Sequence, residues 1–254
     1  MSAEDRRLTR RRVRLTRSAL LLVAAALGCR SAGDPSLAPL PAWDPGRAEI
    51  VEWHADESAF AQDRALEISG LDALSGNLYL VSEKYARLLA VELAPVPVVG
   101  TVRLAVPRHA ELEGIAATSR TLLICDEAHA AVYEARLAIV ERALASGDRR
   151  SVPLRALKLR GVVVRGGKLG FEGIEIDPAS GDVLVLLERS HTAPGGCVST
   201  VFRLRRRDDE LVLRGAPLAI ELADCAWRLT GLEWYRGRLL AFRLVSAVVA
   251  HVGV

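Results

Sequence analysis

One short unit, present four times, limits what this chain can fold into more than any other feature. Its fullest copy is Gly170-Phe171-Glu172-Gly173-Ile174-Glu175-Ile176-Asp177-Pro178, followed by Gly181-Asp182-Val183-Leu184-Val185-Leu186-Leu187-Glu188. It reads as a short strand, a Pro/Gly turn and a second strand ending in a carboxylate. Aligned on Gly173, weaker copies appear at Glu67-Ile68-Ser69-Gly70-Leu71, Glu111-Leu112-Glu113-Gly114-Ile115 and Arg228-Leu229-Thr230-Gly231-Leu232. The aligned glycines lie 44, 59 and 58 residues apart. Second β-rich runs follow at Leu78–Glu83, Leu122–Glu127, Val183–Glu188 and Leu239–Arg243, and third runs at Arg87–Leu93, Ala131–Leu137, Thr200–Arg205 and Ala247–Val254. Three copies carry a fourth run: Val98–Leu104, Leu157–Val164 and Leu211–Ile220. Ala138–Asp148 reads as a helical insertion, and Arg189–Ser199 as a long loop.

A unit of four strands at this spacing is a β-propeller blade. No such sheet buries both faces alone, so blades must pack around an axis. The expected fold is therefore all-β, a propeller of four to five four-stranded blades over residues 48–254. The last unit runs out of chain after three strands, and Ala48–Trp53 is left over before the first. The economical arrangement has Ala48–Trp53 complete the last blade and close the ring, leaving only short sheet edges. A sandwich of the same strands is the alternative.

The first 28 residues have the parts of an export signal. Seven arginines (6, 7, 10, 11, 12, 14 and 17) precede the apolar stretch Ser18–Leu27. That stretch is short of the roughly 20 residues a membrane-spanning helix needs. Ala26-Leu27-Gly28-Cys29 resembles a bacterial lipobox, which implies cleavage before Cys29 and a lipid on its sulfur; plain cleavage nearby is the alternative. Thr9–Val13 resembles a twin-arginine signal only loosely. Residues 29–47, rich in Ser, Ala, Asp and Pro, read as a tether. The expected location is the cell envelope or periplasm, with the membrane as a partner through the lipid. Of the chain's 34 basic and 31 acidic side chains, 27 and 29 remain without the signal. That balance offers no electrostatic footprint for nucleic acid. Three further cysteines remain. Cys125 sits in an apolar run and reads as a buried thiol. Cys197 and Cys225 lie in loop-like sequence, and an oxidising compartment would let them pair.

EISGL…LYLVSEKYARLLAVEL, ELEGIA…LLICDEAHAAVYEARL and GFEGIEIDPASGDVLVLLER, spanning roughly residues 64–243, resemble successive blades of the SdiA-regulated propellers. They are almost equally similar to the "esterase-like activity of phytase" domain. Those families usually have five or more repeats, and this chain shows four.

Blade topology sorts side chains by rim. Strand-one starts, strand-two ends and the turns after strand two share one face. That face gathers Ser69, Glu113, Glu172 and Thr230, then Glu83, Glu127 and Glu188, with Glu67, Glu111, His109, His129 and His191 beside them. Cys197 and Cys225 fall on the same face, where a disulfide would staple the third and fourth blades. Crowded carboxylates need a cation or retained protons. Oxygen ligands suit Ca2+ or Mg2+, and the resemblance implies calcium as well. The expected ligands are Glu113 and Glu172, with Glu67, Glu127 and Glu188. Glu83, His129 and His191 are candidates for contacting a rim ligand. Polar groups at strand starts can also bond a neighbouring blade's backbone, and histidines without paired spacing read as solvated.

The sequence has no Gly-x-Ser-x-Gly elbow, phosphate-binding Gly-x-x-x-x-Gly-Lys-[Ser/Thr] loop, His-Glu-x-x-His or Cys-x-x-Cys. Two functions remain in view. One is a binding propeller whose rim metal holds a small molecule or a protein. The other is a metal-dependent esterase or phosphoesterase. An acidic rim disfavours phytate.

Overall fold

The computed structural model describes residues 67–92, 98–147, 150–164, 170–192, 196–235, 237–243 and 249–252. The expected signal, lipid-bearing Cys29, tether and closing strand Ala48–Trp53 lie outside them.

The described residues form four blades of antiparallel strands in chain order. The first blade is β1 (Ile68–Leu74), β2 (Asn77–Ser82), β3 (Tyr85–Glu92) and β4 (Val98–Ala105). The second is β5 (Leu112–Ala117), β6 (Thr121–Asp126) and β7 (Ala131–Arg136). After helix α1 (Leu137–Ser146) and the two-residue β8 (Val152–Pro153), β9 (Arg155–Arg160) completes it. The third is β10 (Phe171–Ile176), β11 (Val183–Thr192), β12 (Gly196–Arg207) and β13 (Glu210–Leu213), with β14 (Leu218–Leu222) also bonded to β12. The fourth is β15 (Leu229–Tyr235), β16 (Arg238–Arg243) and β17 (Val249–Val252). Each sheet runs outward from its first strand, and β1, β5, β10 and β15 pack side by side in that order. This is a β-propeller.

The repeated glycine is where those inner strands meet. A methyl group at Gly70 would lie 2.8 Å from Gly114 Cα. At Gly114 it would lie 2.9 Å from the Ile174 nitrogen, and at Gly173 3.1 Å from Gly231 Cα. Real Cβ atoms essentially never come within 3.0 Å of backbone, and 3.1 Å is already tight, so glycine is what lets these backbones touch. In all four blades the ladder between strands one and two slips at the same place, between residues 68 and 70, 112 and 114, 171 and 173, and 229 and 231. The extra residue at each bulge is Ser69, Glu113, Glu172 or Thr230. A bulge re-aims the side chain it releases, so the repeat delivers one polar group per blade at one level of the axis.

Between successive blades lie apolar cores. Tyr79, Val81, Leu88, Ile115, Leu122 and Ile124 pack between the first two blades. Leu123, Phe171, Val185, Phe202 and Leu204 fill the next space, with Phe171 and Phe202 edge to face at 6.4 Å. Leu184, Leu186, Val201, Leu229 and Leu239 fill the third. Full burial of each such side chain is worth about 1.5–3 kcal/mol. The helical insertion fills the wedge between the first two blades: Leu137 and Val140 join the first core, and Leu144 lies over Gly100. It ends at Gly147, whose left-handed φ of 61° lets its N–H return to the Leu144 carbonyl.

Three expectations require correction. Arg189–Ser199 is no simple loop, because β11 and β12 continue as a hairpin in which His191 pairs with Cys197. Leu211–Ile220 is not one strand. β13 bonds the end of β12 (Leu204–Arg207), β14 bonds its beginning (Cys197–Val201), and Gly215 at φ 74° turns the chain before Pro217. The Leu157–Val164 run stops at Arg160, because Gly161 takes φ 79°. In addition, β13 pairs in parallel with β9, joining the second and third blades at their outer edge.

On the turn face of the third blade, Asp182 is nearly inaccessible and accepts from Arg203 (2.8 Å), Arg214 (2.6 Å) and Arg205 (3.2 Å). Asp177 accepts from Ser180 Oγ (2.7 Å) and the Ala179 N–H (2.9 Å), fixing the Asp-Pro turn. Burial pushes the Asp182 carboxyl up, but the three guanidiniums outweigh it and hold it at about 2.

Cys197 on β12 is bonded to Cys225, 28 residues later, with Cα atoms 5.2 Å apart. The bridge ties the segment entering the fourth blade to the third. Closing a loop of that length is worth about 3–4 kcal/mol in the chain-entropy treatment. A Cys197→Ser/Cys225→Ser protein should lose about that much in urea denaturation while keeping its far-ultraviolet circular dichroism. A loss under 1 kcal/mol would show that the bridge adds little.

Candidate functional site

The bulges of the second and third blades place Glu113 and Glu172 on neighbouring inner strands, both buried at 7 % and 3 % exposure. Glu127 enters from the turn after β6, held by its N–H on the Glu111 carbonyl (2.8 Å). Glu188 enters from β11 where that strand's register slips, and its N–H lies 3.3 Å from the Gly170 carbonyl. One carboxylate oxygen from each of Glu127, Glu172 and Glu188 lies within 4.8 Å of the others. Glu127 and Glu172 lie close together, and burial and then the Glu127 charge raise the Glu172 carboxyl.

Arg228, entering the fourth blade, supplies the cation. Its Nη2 donates to Glu172 at 3.0 Å and its Nε pairs with Glu188. Among the described residues Glu113 has no hydrogen-bond or ion-pair partner, although it is buried beside Glu172 and Glu127. Burial, then the charges of Glu172, Glu127 and Glu111, push its carboxyl to about 8 against the opposing pull of Arg228. Glu172 is pushed to about 7 by burial, then by Glu127 and Glu188. Glu127 is raised too, by burial and then Glu111. Without another cation, the group carries its charge by keeping protons.

Other expected site residues lie elsewhere. Glu67 is half-exposed and 3.3 Å from Lys84, which also pairs with Glu83, so the first blade sends neither carboxylate into the group. Ser69, at the bulge position of that blade, hydrogen-bonds the Leu112 carbonyl of its neighbour. His129 Nδ1 is 2.7 Å from Asp126, which also accepts from Tyr133 (3.1 Å) and the Glu111 N–H (3.0 Å); this histidine braces a turn. The His191 side chain lies outside the described residues. Beside the carboxylates, Glu83, Lys84, Pro107, His109 and Glu111 line a groove of about 430 Å³. His109 holds a left-handed φ of 64° there, a conformation costly to a side-chain-bearing residue.

Two features escaped the sequence reading. Arg228 sits three residues before its glycine, in the repeat column that otherwise reads Glu67, Glu111 and Gly170; the reversal of sign was the available signal. Two residues after the glycines the column reads Asp72, Ala116, Glu175 and Glu233. Three of these form a second acidic group on the inner strands. Asp72 accepts from the Ala117 N–H (2.5 Å), and Glu175 from the Ile176 N–H (2.6 Å). Burial, then Glu233 and Asp72, push Glu175 to about 8. Glu233 is raised as well, by partial enclosure and then Asp72, although the residue as a whole is exposed.

The sequence matches no family model and no curated protein. Structural likenesses are distant. A chain in a nidogen/laminin complex aligns at TM-score 0.41 and 17 % identity, over 69 % of this chain and 56 % of that one. Virginiamycin B lyase from Staphylococcus aureus aligns at 0.41 and 8 %, over 75 % and 71 %. The Myceliophteria thermophila Cps50 (Swd1) β-propeller domain aligns at 0.41 and 15 %, over 74 % and 54 %. The chain thus spans little more than half of the first of these. At such scores the likenesses carry no weight, and the blade topology itself assigns the propeller.

Proposed function

We propose that this chain is an exported, lipid-anchored propeller of the SdiA-regulated or phytase-like type. Its rim binds a divalent cation, Ca2+ or Mg2+, and through it a small-molecule or protein ligand. The observation that carries the reading is the convergence of Glu127, Glu172 and Glu188 beside a buried Glu113 that has no partner among the described residues. Oxygens that share a calcium ion at about 2.4 Å stand no more than about 4.8 Å apart, and these three lie within that limit. Every donor is a hard oxygen, and a divalent ion would replace protons these carboxyls otherwise retain. The groove bounded by Glu111 gives a ligand room beside the ion. The Cys197–Cys225 bridge suits an oxidising compartment, in keeping with the export signal.

Metal analysis of the isolated protein, followed by calorimetric titration with Ca2+ and Mg2+, tests the reading. One equivalent should bind, with a rise in Tm and an affinity that increases from pH 6 to 8.5 as Glu172 and Glu113 lose protons. Glu172→Gln/Glu188→Gln should weaken binding at least about 100-fold, following the loss of two charged ligands. No binding of either ion at pH 8.5 would sink the proposal. Turnover of phosphate or acyl esters, abolished by Glu113→Gln and Glu172→Gln, would replace the binding reading with the hydrolytic one.

A further inference from the structure

The segment between β14 and β15 is anchored twice just before it delivers Arg228. Cys225 is bonded to Cys197 on β12. Its carbonyl accepts a hydrogen bond from Arg189, the residue after Glu188 on β11. A tight turn follows: the Trp227 N–H donates to the Asp224 carbonyl (2.9 Å), and the Ala226 N–H to the Asp224 carboxylate (2.8 Å). The next residue is Arg228. Both its partners, Glu172 and Glu188, belong to the third blade, whereas Arg228 leads into the fourth. No strand ladder of the third blade holds it; the two anchors lie on one side of it, and on the other Leu229 starts β15 opposite Arg243. Its side chain is 42 % exposed against 3 % and 5 % for the carboxylates it pairs with, although its Nε is buried between them, so Arg228 is the member of the group that reaches solvent.

We propose that the Cys197–Cys225 bridge is a positioning device for Arg228, and that Arg228 is the internal counter-ion which an entering divalent cation must displace. The second half rests on the divalent-cation reading above; the first does not. A guanidinium stays charged at every pH the protein survives, so only movement removes it from the carboxylates. Two like charges cannot share the space beside Glu172 and Glu188, and the bound arginine therefore sets the site's affinity. Freeing the Cys225 segment lets Arg228 leave and lowers that barrier.

Two measurements test this. The Nε–Hε signal of Arg228, assigned by its loss in Arg228→Lys, reports pairing without any metal. Its hydrogen exchange should be slow in the wild type and at least about 10-fold faster in Cys197→Ser/Cys225→Ser. Should that variant fail to fold, Arg189→Gln removes the other anchor with the bridge intact, and should speed exchange in the same direction. Calcium titration then reads the second half. Arg228→Gln should bind at least about 10-fold tighter and the bridge-less protein about 3-fold tighter. The combined variant should bind no tighter than Arg228→Gln alone, because both changes act through one group. Unchanged exchange in the bridge-less and Arg189→Gln proteins overturns the positioning role. Fully additive affinities, or weaker calcium binding by Arg228→Gln, overturn the counter-ion role. If exchange quickens but no variant binds calcium, the divalent reading and the counter-ion role fall together and the positioning role stands.

Discussion

Gly170→Ala should destabilise the protein by more than about 4 kcal/mol and dismantle the carboxylate group with it. A Cβ built on Gly170 would overlap the Cα, carbonyl carbon and oxygen of Glu127. The obstacle is backbone on the neighbouring blade, which no rotamer change relieves. Accommodation means moving the turn that carries Glu127, whose N–H is bonded to the Glu111 carbonyl and whose carboxylate lies close to those of Glu172 and Glu188. Losing a buried polar network together with packing puts a substitution among the most damaging. Gly76→Ala is the control, since Gly76 has φ 83° and open space around it. It should cost only about 1–2 kcal/mol of left-handed strain. Equal losses for the two variants in chemical denaturation would show that no such close approach exists. Calcium binding by Gly170→Ala at wild-type affinity would show that Glu127 does not depend on it.

The same contact explains which parts of this molecule are legible in its sequence. The repeat Glu-Gly-Ile marks the axis because glycine allows inner strands to touch, and that demand recurs at Gly70, Gly114 and Gly173, whereas Gly231 has room for a methyl group. Glu113 and Glu172 can be read as site residues because a local rule, a bulge one position before the glycine, aims them. Glu127 and Glu188 follow from strand direction alone. Glu67 does not join them, because Lys84 in the adjacent turn captures it, and the repeat does not encode that pairing. Arg228 was harder still. Its role depends on the course of the segment from β14, which a bridge to β12 dictates, and not on any blade periodicity. The division of one expected strand into β13 and β14 has a similar origin. The twelve-residue β12 offers an edge long enough for two partners, a property of length visible only once its hairpin with β11 is known.

Without divalent cations, stability should fall by several kcal/mol as pH rises from 5 to 9, opposite to the behaviour of most carboxylate-rich surfaces. Glu113 titrates at about 8 in the folded protein against 4.5 unfolded, and Glu172 at about 7. Between those limits the native state binds more protons than the unfolded chain, so unfolding free energy declines with pH. The contribution is complete below about pH 4.5 and is lost as pH passes through 7 to 8. For Glu113 it amounts to roughly 4–5 kcal/mol at 1.36 kcal/mol per pH unit, shared with the coupled Glu172. Asp182 works the other way. Its carboxyl is held at about 2, so its stabilisation is present above its ordinary 3.8 and lost as pH falls through about 2. The curve should therefore peak in mild acid. Glu113→Gln keeps the shape of the side chain while removing its proton equilibrium, and should flatten the alkaline limb by about half or more. Glu175→Gln, at the second acidic group, should flatten it independently, because the two groups do not share partners. Saturating Ca2+ at pH 9 should restore the stability that deprotonation removes, in the wild type but not in Glu172→Gln/Glu188→Gln. Urea denaturation at pH 5, 7 and 9 with and without calcium separates these contributions. A wild-type curve that rises between pH 5 and 9 would mean that Glu113 and Glu172 are ionised and solvated, and that the rim has no need of a cation.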